Sequence, residues 1–130
     1  DKFIGDACFG IFSAPLDLPK HEDRAIEAAV RIQERIKELN KTMDQEIAIG
    51  VGLQSGTACV GNMGSSTRFD YTAIGNCVNE AARYESATKE VGVDILIGAE
   101  TAKESTIDLK YVKDIKVKGK EKALSVYTVS

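Results

Sequence analysis

The run Asp70-Tyr71-Thr72-Ala73-Ile74-Gly75-Asn76-Cys77-Val78-Asn79-Glu80-Ala81-Ala82-Arg83 changes its period at Gly75, and that change decides the fold. Phe69 to Ile74 is a short β-prone stretch, whereas Val78, Ala81, Ala82 and Glu85 fall at helical spacing as far as about Glu90. A strand therefore feeds directly into a helix. Asn79 and Arg83 are four residues apart, so they share one face of that helix. An amide beside a guanidinium, near a helix N-terminus whose free N–H groups favour anions, suits a phosphorylated ligand. The same spacing also fits an ordinary solvated polar face, and spacing alone leaves both open.

Upstream, Ile47 to Leu53 and Thr57 to Met63 predict two strands turning about Gln54-Ser55-Gly56, a second hairpin that closes on the glycine-rich loop Gly61 to Arg68. Ala25, Ala29, Ile32, Ile36 and Leu39 predict a helix ending near Asn40, with charged residues on its other face. Its heptad-like spacing is too short-lived for a coiled coil. Phe3-Ile4 and Cys8 to Phe12 flank Gly5-Asp6, so residues 1–13 predict a β-hairpin with a carboxylate at its tip. Lys2 and Asp6 flank that turn, where an exposed salt bridge is the plain explanation. Downstream, Val93 to Ile97, Tyr111 to Val117 and Ala123 to Val129 predict three further strands, the last two joined at Lys118-Gly119-Lys120. The expected fold class is α+β, a sheet with helices layered on one face.

The chain has 130 residues, consistent with a single domain over 1–130 that needs no staples to bury a core. Hydrophobic residues at 43% and charged residues at 28% are the proportions of a globular domain, not a disordered tail. Seventeen Lys and Arg against twenty Asp and Glu give a net charge of −3, which argues against a nucleic-acid partner. With four Tyr, four Phe and no Trp, an RNA-binding sheet with stacking aromatics is also disfavoured. No apolar run reaches the roughly 18 residues of a membrane span. Cys8, Cys59 and Cys77 are widely spaced, with no CxxC and only His21 as a possible partner ligand, so neither a disulfide framework nor a zinc site is signalled. A reducing, cytoplasmic setting is expected.

Two glycine patterns invite nucleotide readings and fail them. Gly50-x-Gly52 would need a third glycine where Ser55 stands. Gly61 to Arg68 lacks the Lys-Ser or Lys-Thr of a Walker motif.

Taken together, five segments in order resemble the catalytic domain of the class III adenylyl and guanylyl cyclases. They are Asp1 to Ala7, Ile49 to Gly64, Arg68 to Gly75, Val78-Asn79-x-Ala81-x-Arg83-x-Glu85, and Val117-Lys118-Gly119-Lys120. The resemblance spans essentially the whole chain. It implies a ferredoxin-like, palm-type antiparallel sheet and a reaction in which the ribose 3′-hydroxyl of a nucleoside triphosphate displaces pyrophosphate from its own α-phosphate. It also implies site residues: Asp6 matches one of two metal aspartates, holding Mg²⁺ or Mn²⁺, while Asn79 and Arg83 match the pair that orients the ribose and stabilises the reacting phosphate. Lys118, in preference to Lys120, matches the lysine that meets the terminal phosphates.

Lys2 and Thr72 match the base-selecting positions. Lys2 can donate to adenine N1 and Thr72 can accept from the exocyclic amine, which implies ATP. Thr72 stands where aspartate is frequent, as in a subgroup associated with bicarbonate response, and its hydroxyl can also donate, which implies looser discrimination against GTP. Asn76 replaces another frequent aspartate at a non-catalytic position. Because each family site draws on two subunits, the resemblance implies a homodimer. The family's other metal aspartate and the helices after it have no counterpart in this chain, so a fragment with little or no activity of its own is expected. The competing expectation is a non-catalytic cyclase-like module for dimerisation or nucleotide sensing.

Overall fold

The structure, a computed structural model, describes residues 2–4, 7–10, 20–56, 59–63, 70–117 and 123–129. Strands β1 (Lys2–Ile4) and β2 (Ala7–Phe9) pair antiparallel, Lys2 opposite Phe9 and Ile4 opposite Ala7, which is the expected first hairpin. Helix α1 runs His21–Asn40. Strand β3 is Val51–Leu53, β4 Cys59–Met63 and β5 Asp70–Ile74. Helix α2 covers Asn76–Val91, followed by β6 (Ile95–Gly98), α3 (Ala99–Glu104), β7 (Leu109–Ile115) and β8 (Leu124–Val129).

The α+β class holds, with two corrections to its expected layout. The main sheet is mixed rather than antiparallel: its order is β3-β6-β8-β7, and β3 runs parallel to β6. Its helices lie on both faces rather than one. Ile95 and Ile97 of β6 pack with Ile26 and Ala29 of α1, while Leu96, pointing the opposite way, packs with Tyr84 and Ala87 of α2. Since successive strand side chains alternate, a fully buried Ile-Leu-Ile run is what a strand covered on both faces requires.

Among the described residues, the expected hairpin between Ile47–Leu53 and Thr57–Met63 does not form. β3 pairs with β6, and β4 pairs instead with β5, Cys59 opposite Ile74 and Met63 opposite Asp70. The reason lies in Gln54 and Ser55, whose side chains bond to α2 and α3 instead of shaping a turn. The β4–β5 pairing agrees with a loop near Gly61 to Arg68, although Gly61-Asn62-Met63 belong to β4 and 64–69 lie outside the described residues.

Gly50 and Gly52 have a packing role. A Cβ on Gly52 would run into the Ala81 carbonyl and the Glu85 nitrogen, and one on Gly50 into the Thr88 hydroxyl, so these glycines let α2 lie directly on β3. Gly92 caps α2 at φ +85° and donates its N–H to the Thr88 carbonyl.

Helix α1 faces the sheet with a different stripe from the one its apolar spacing suggests. Asp23, Ile26, Ala29 and Gln33 are buried, and Ile32 is 44% exposed. Gln33 Nε2 donates at 2.9 Å to the carbonyls of both Ile49 and Asp94. Asp23 accepts from the Ser105 hydroxyl at 2.7 Å, the Thr106 N–H at 2.9 Å and the Thr106 hydroxyl at 2.5 Å. In β7, a bulge between Tyr111 and Lys113 shifts the register, so that Leu109 joins the α1 side of the sheet while Val112 and Ile115 join the α2 side.

Candidate active site

Helix α2 carries the two residues expected to act on phosphate. Gly75 precedes it in an extended conformation, and the Asn79 N–H reaches back to the Gly75 carbonyl at 3.4 Å. Asn79 is exposed and Arg83 partly so, one turn apart on the same helix. The Arg83 Nε donates to the Lys116 carbonyl at 3.1 Å, and its terminal nitrogen lies 3.5 Å from the Glu90 carboxylate. Lys116 directly follows β7, two residues before Lys118. The guanidinium thus ties α2 to the start of the segment that bears the expected terminal-phosphate lysine.

The other expected residues are placed as follows. Lys2 is on β1 opposite Phe9, and Thr72 is on β5 opposite Gly61. Asp6, Lys118 and Lys120 lie outside the described residues. Of the expected set, Asn79 and Arg83 are brought together. Asp6 is a hard oxygen donor of the kind Mg²⁺ and Mn²⁺ take; among the described residues there is no group of three or more His, Cys, Asp or Glu positioned to hold a metal.

Beneath this face lies a buried polar cluster that the sequence did not signal. Gln54 Nε2 donates to the Glu80 carboxylate at 2.9 Å and to the Tyr84 hydroxyl at 3.4 Å, while its Oε1 accepts the Ser55 N–H at 3.1 Å. The Ser55 hydroxyl bonds to that of Thr101 at 2.8 Å. Burial and the neighbouring Glu80 carboxylate push the Tyr84 phenol up to about 12, and the same two causes raise the Cys77 thiol. Gln54-Ser55-Gly56 has the composition of a turn, and only its position next to α2 turns these side chains inward.

Residues 2–130 match the family model described as the adenylate and guanylate cyclase catalytic domain. The chain belongs to this family, the class III cyclases, and has its fold. It is 34% identical to an adenylate cyclase of Anabaena cylindrica over 142 aligned positions, covering 99% of this chain and 27% of that protein. It is 32% identical to adenylate cyclase 1 of Rhizobium meliloti (strain 1021), covering 98% of this chain and 20% of that one. The chain thus spans about a quarter or less of these relatives. The crystal structure of the adenylyl cyclase CyaB from P. aeruginosa superposes with a TM-score of 0.89 at 31% identity, over 100% of this chain and 70% of that one. The guanylate cyclase domain of RhGC from Catenaria anguillulae, in complex with GTP, gives 0.83 at 30%, over 99% and 70%.

Proposed function

We propose that this chain is the catalytic domain of an adenylyl cyclase, converting ATP to 3′,5′-cyclic AMP and pyrophosphate. The observation that carries the proposal is the placement of Asn79 and Arg83 one turn apart on α2, with the guanidinium held at the root of the Lys118 segment. Overall similarity does not choose the base, because an adenylyl and a guanylyl cyclase match almost equally well. That choice rests on Lys2, which donates to adenine N1, and Thr72, which accepts from the exocyclic amine.

In the reaction the ribose 3′-oxygen bonds to the α-phosphorus, the bond from that phosphorus to the β-bridging oxygen breaks, and the hydroxyl proton passes to solvent. Negative charge grows on the α-phosphoryl oxygens and on departing pyrophosphate. Arg83 neutralises the first, Lys118 meets the terminal phosphates, and Asn79 holds the ribose so that its 3′-oxygen is in line. A divalent cation, Mg²⁺ or Mn²⁺, held by Asp6 would supply Lewis-acid stabilisation of the phosphates.

Arg83 is engaged with Lys116 and Glu90, so binding of the triphosphate exchanges those partners for phosphate oxygens. The working unit is a homodimer with two sites, each completed across the subunit interface. With Asp6 as the one matched metal carboxylate, the 130-residue chain by itself turns over ATP weakly or not at all. Among the described residues no helix is long and apolar enough to cross a membrane.

The test is cyclic nucleotide formation from ATP and from GTP with Mg²⁺ or Mn²⁺, by this chain and by the full natural polypeptide that contains it. Cyclic AMP from the full polypeptide is the expected outcome, and Arg83→Ala lowers kcat by roughly 10²–10³ with a smaller effect on KM. If the full polypeptide folds and dimerises yet makes no cyclic nucleotide, the non-catalytic module takes its place. That Asp6 is the single matched metal carboxylate is the observation that favours that second reading.

A further inference from the structure

We propose that Gln54 is the positioning residue of the α2 face, setting the rotation of the helix that presents Asn79 and Arg83; this rests on the cyclase reading above. The Gln54 amide has a built seat. A Cβ on Gly98 would collide with the amide oxygen, carbon and nitrogen together, so Gly98 leaves the space the amide fills. Every polar atom of the amide is used, the oxygen by the Ser55 N–H and the nitrogen by Glu80 and Tyr84.

Glu80 and Tyr84 are four residues apart, 8% and 0% exposed, so one amide clamps two successive turns of α2 from below. Glu80 directly follows Asn79 and comes three residues before Arg83. At 3.6 residues per turn, a Glu80 fixed inward places Asn79 about 100° and Arg83 about 60° to the same side of it. Both are thereby turned towards one outer surface. A helix free to roll by a few tens of degrees would carry those two side chains by ångströms, and a misplacement of about 1 Å can lower a rate by roughly 10²-fold. The clamp depends on a partly buried charge-assisted hydrogen bond, which either partner order can satisfy.

The experiment compares wild type with Gln54→Leu, with Gln54→Asn, whose amide is retained but drawn back by one methylene, and with the reciprocal exchange Gln54→Glu/Glu80→Gln. Amide hydrogen exchange over residues 76–83 is measured in the 130-residue chain, and kcat and KM for ATP in the full natural polypeptide, each per folded molecule. Gln54→Leu and Gln54→Asn are expected to speed exchange across 76–83 by tenfold or more, leaving β7 and β8 unchanged. They lower kcat roughly 10- to 100-fold while KM moves less than about threefold. The reciprocal exchange restores both.

The proposal is overturned if wild type is active and kcat per folded molecule is unchanged in both single variants, or if the exchange variant folds but recovers no kcat. If wild type makes no cyclic nucleotide, the cyclase reading falls on its own, and amide exchange then decides the rest. Exchange unchanged in the single variants overturns the clamp; faster exchange reversed by the reciprocal pair upholds it.

Discussion

Asp23 bonds to Ser105 and Thr106, residues 82 and 83 positions away, and so fastens the first turn of α1 to the segment after α3. The Thr106 and Ser105 hydroxyls and the Thr106 N–H hold its carboxyl below the ordinary 3.8. Because the folded value is depressed, the stabilisation is fully present above the unfolded value and is lost as pH falls through the folded one. Thermal melts across pH should therefore show wild type well above Asp23→Asn at neutral pH, with the gap closing below about pH 4. A gap that stays constant down to pH 2 would contradict this. Residues of this kind were not legible in the sequence. Asp23, Gln33 and Glu80 look like ordinary polar positions along the chain, and their burial, like the partly buried seat of Gln54, is created by partners distant in sequence. That Asn79 and Arg83 share a helix face, by contrast, was legible because it is local, one helical turn long, while their pairing as site residues came from the family resemblance.

At the scale of elements, local signals and the two hairpins β1–β2 and β7–β8 were legible, whereas the partners of β3 and β4 were not. The helix over 21–40 and the strand-to-helix step at Gly75 follow from periodicity. The pairing of β3 with β6 does not, because strand partners are chosen by long-range packing. The edge of β3 shows how this choice is enforced. Upstream of Val51, the Ile49 carbonyl is held by Gln33. Gln33→Ala strips a shared donor from two carbonyls, and urea unfolding should register a loss of about 1–3 kcal/mol. Gly52→Ala is expected to be worse for its size, losing about 3 kcal/mol, since the new methyl meets the α2 backbone and no side-chain rotamer can relieve it. If Gly52→Ala melts like wild type, α2 does not sit directly on β3. Of the candidate site, the place of Asn79 and Arg83 on α2 was legible, whereas the polar cluster beneath them had no sequence signature.

For the whole molecule, the sheet is a middle layer, with α1 on one face and α2 on the other, and β3 and β6 run parallel. Parallel neighbours cannot be joined by a tight turn, so the chain between them must leave the sheet and return, and α2 is part of that return. Forming the β3–β6 pair therefore requires closing one long loop before its contacts compensate the lost chain entropy. The helix that bears Asn79 and Arg83 lies within that loop, and it is expected to dock in the slow step of folding, not onto a finished scaffold. In stopped-flow refolding, Gly52→Ala should slow the folding limb rather than merely quicken unfolding; a change confined to the unfolding limb would mean that α2 docks after the barrier. A newly made chain would then acquire its sheet and helix α2 together, with no folded intermediate that has one and lacks the other.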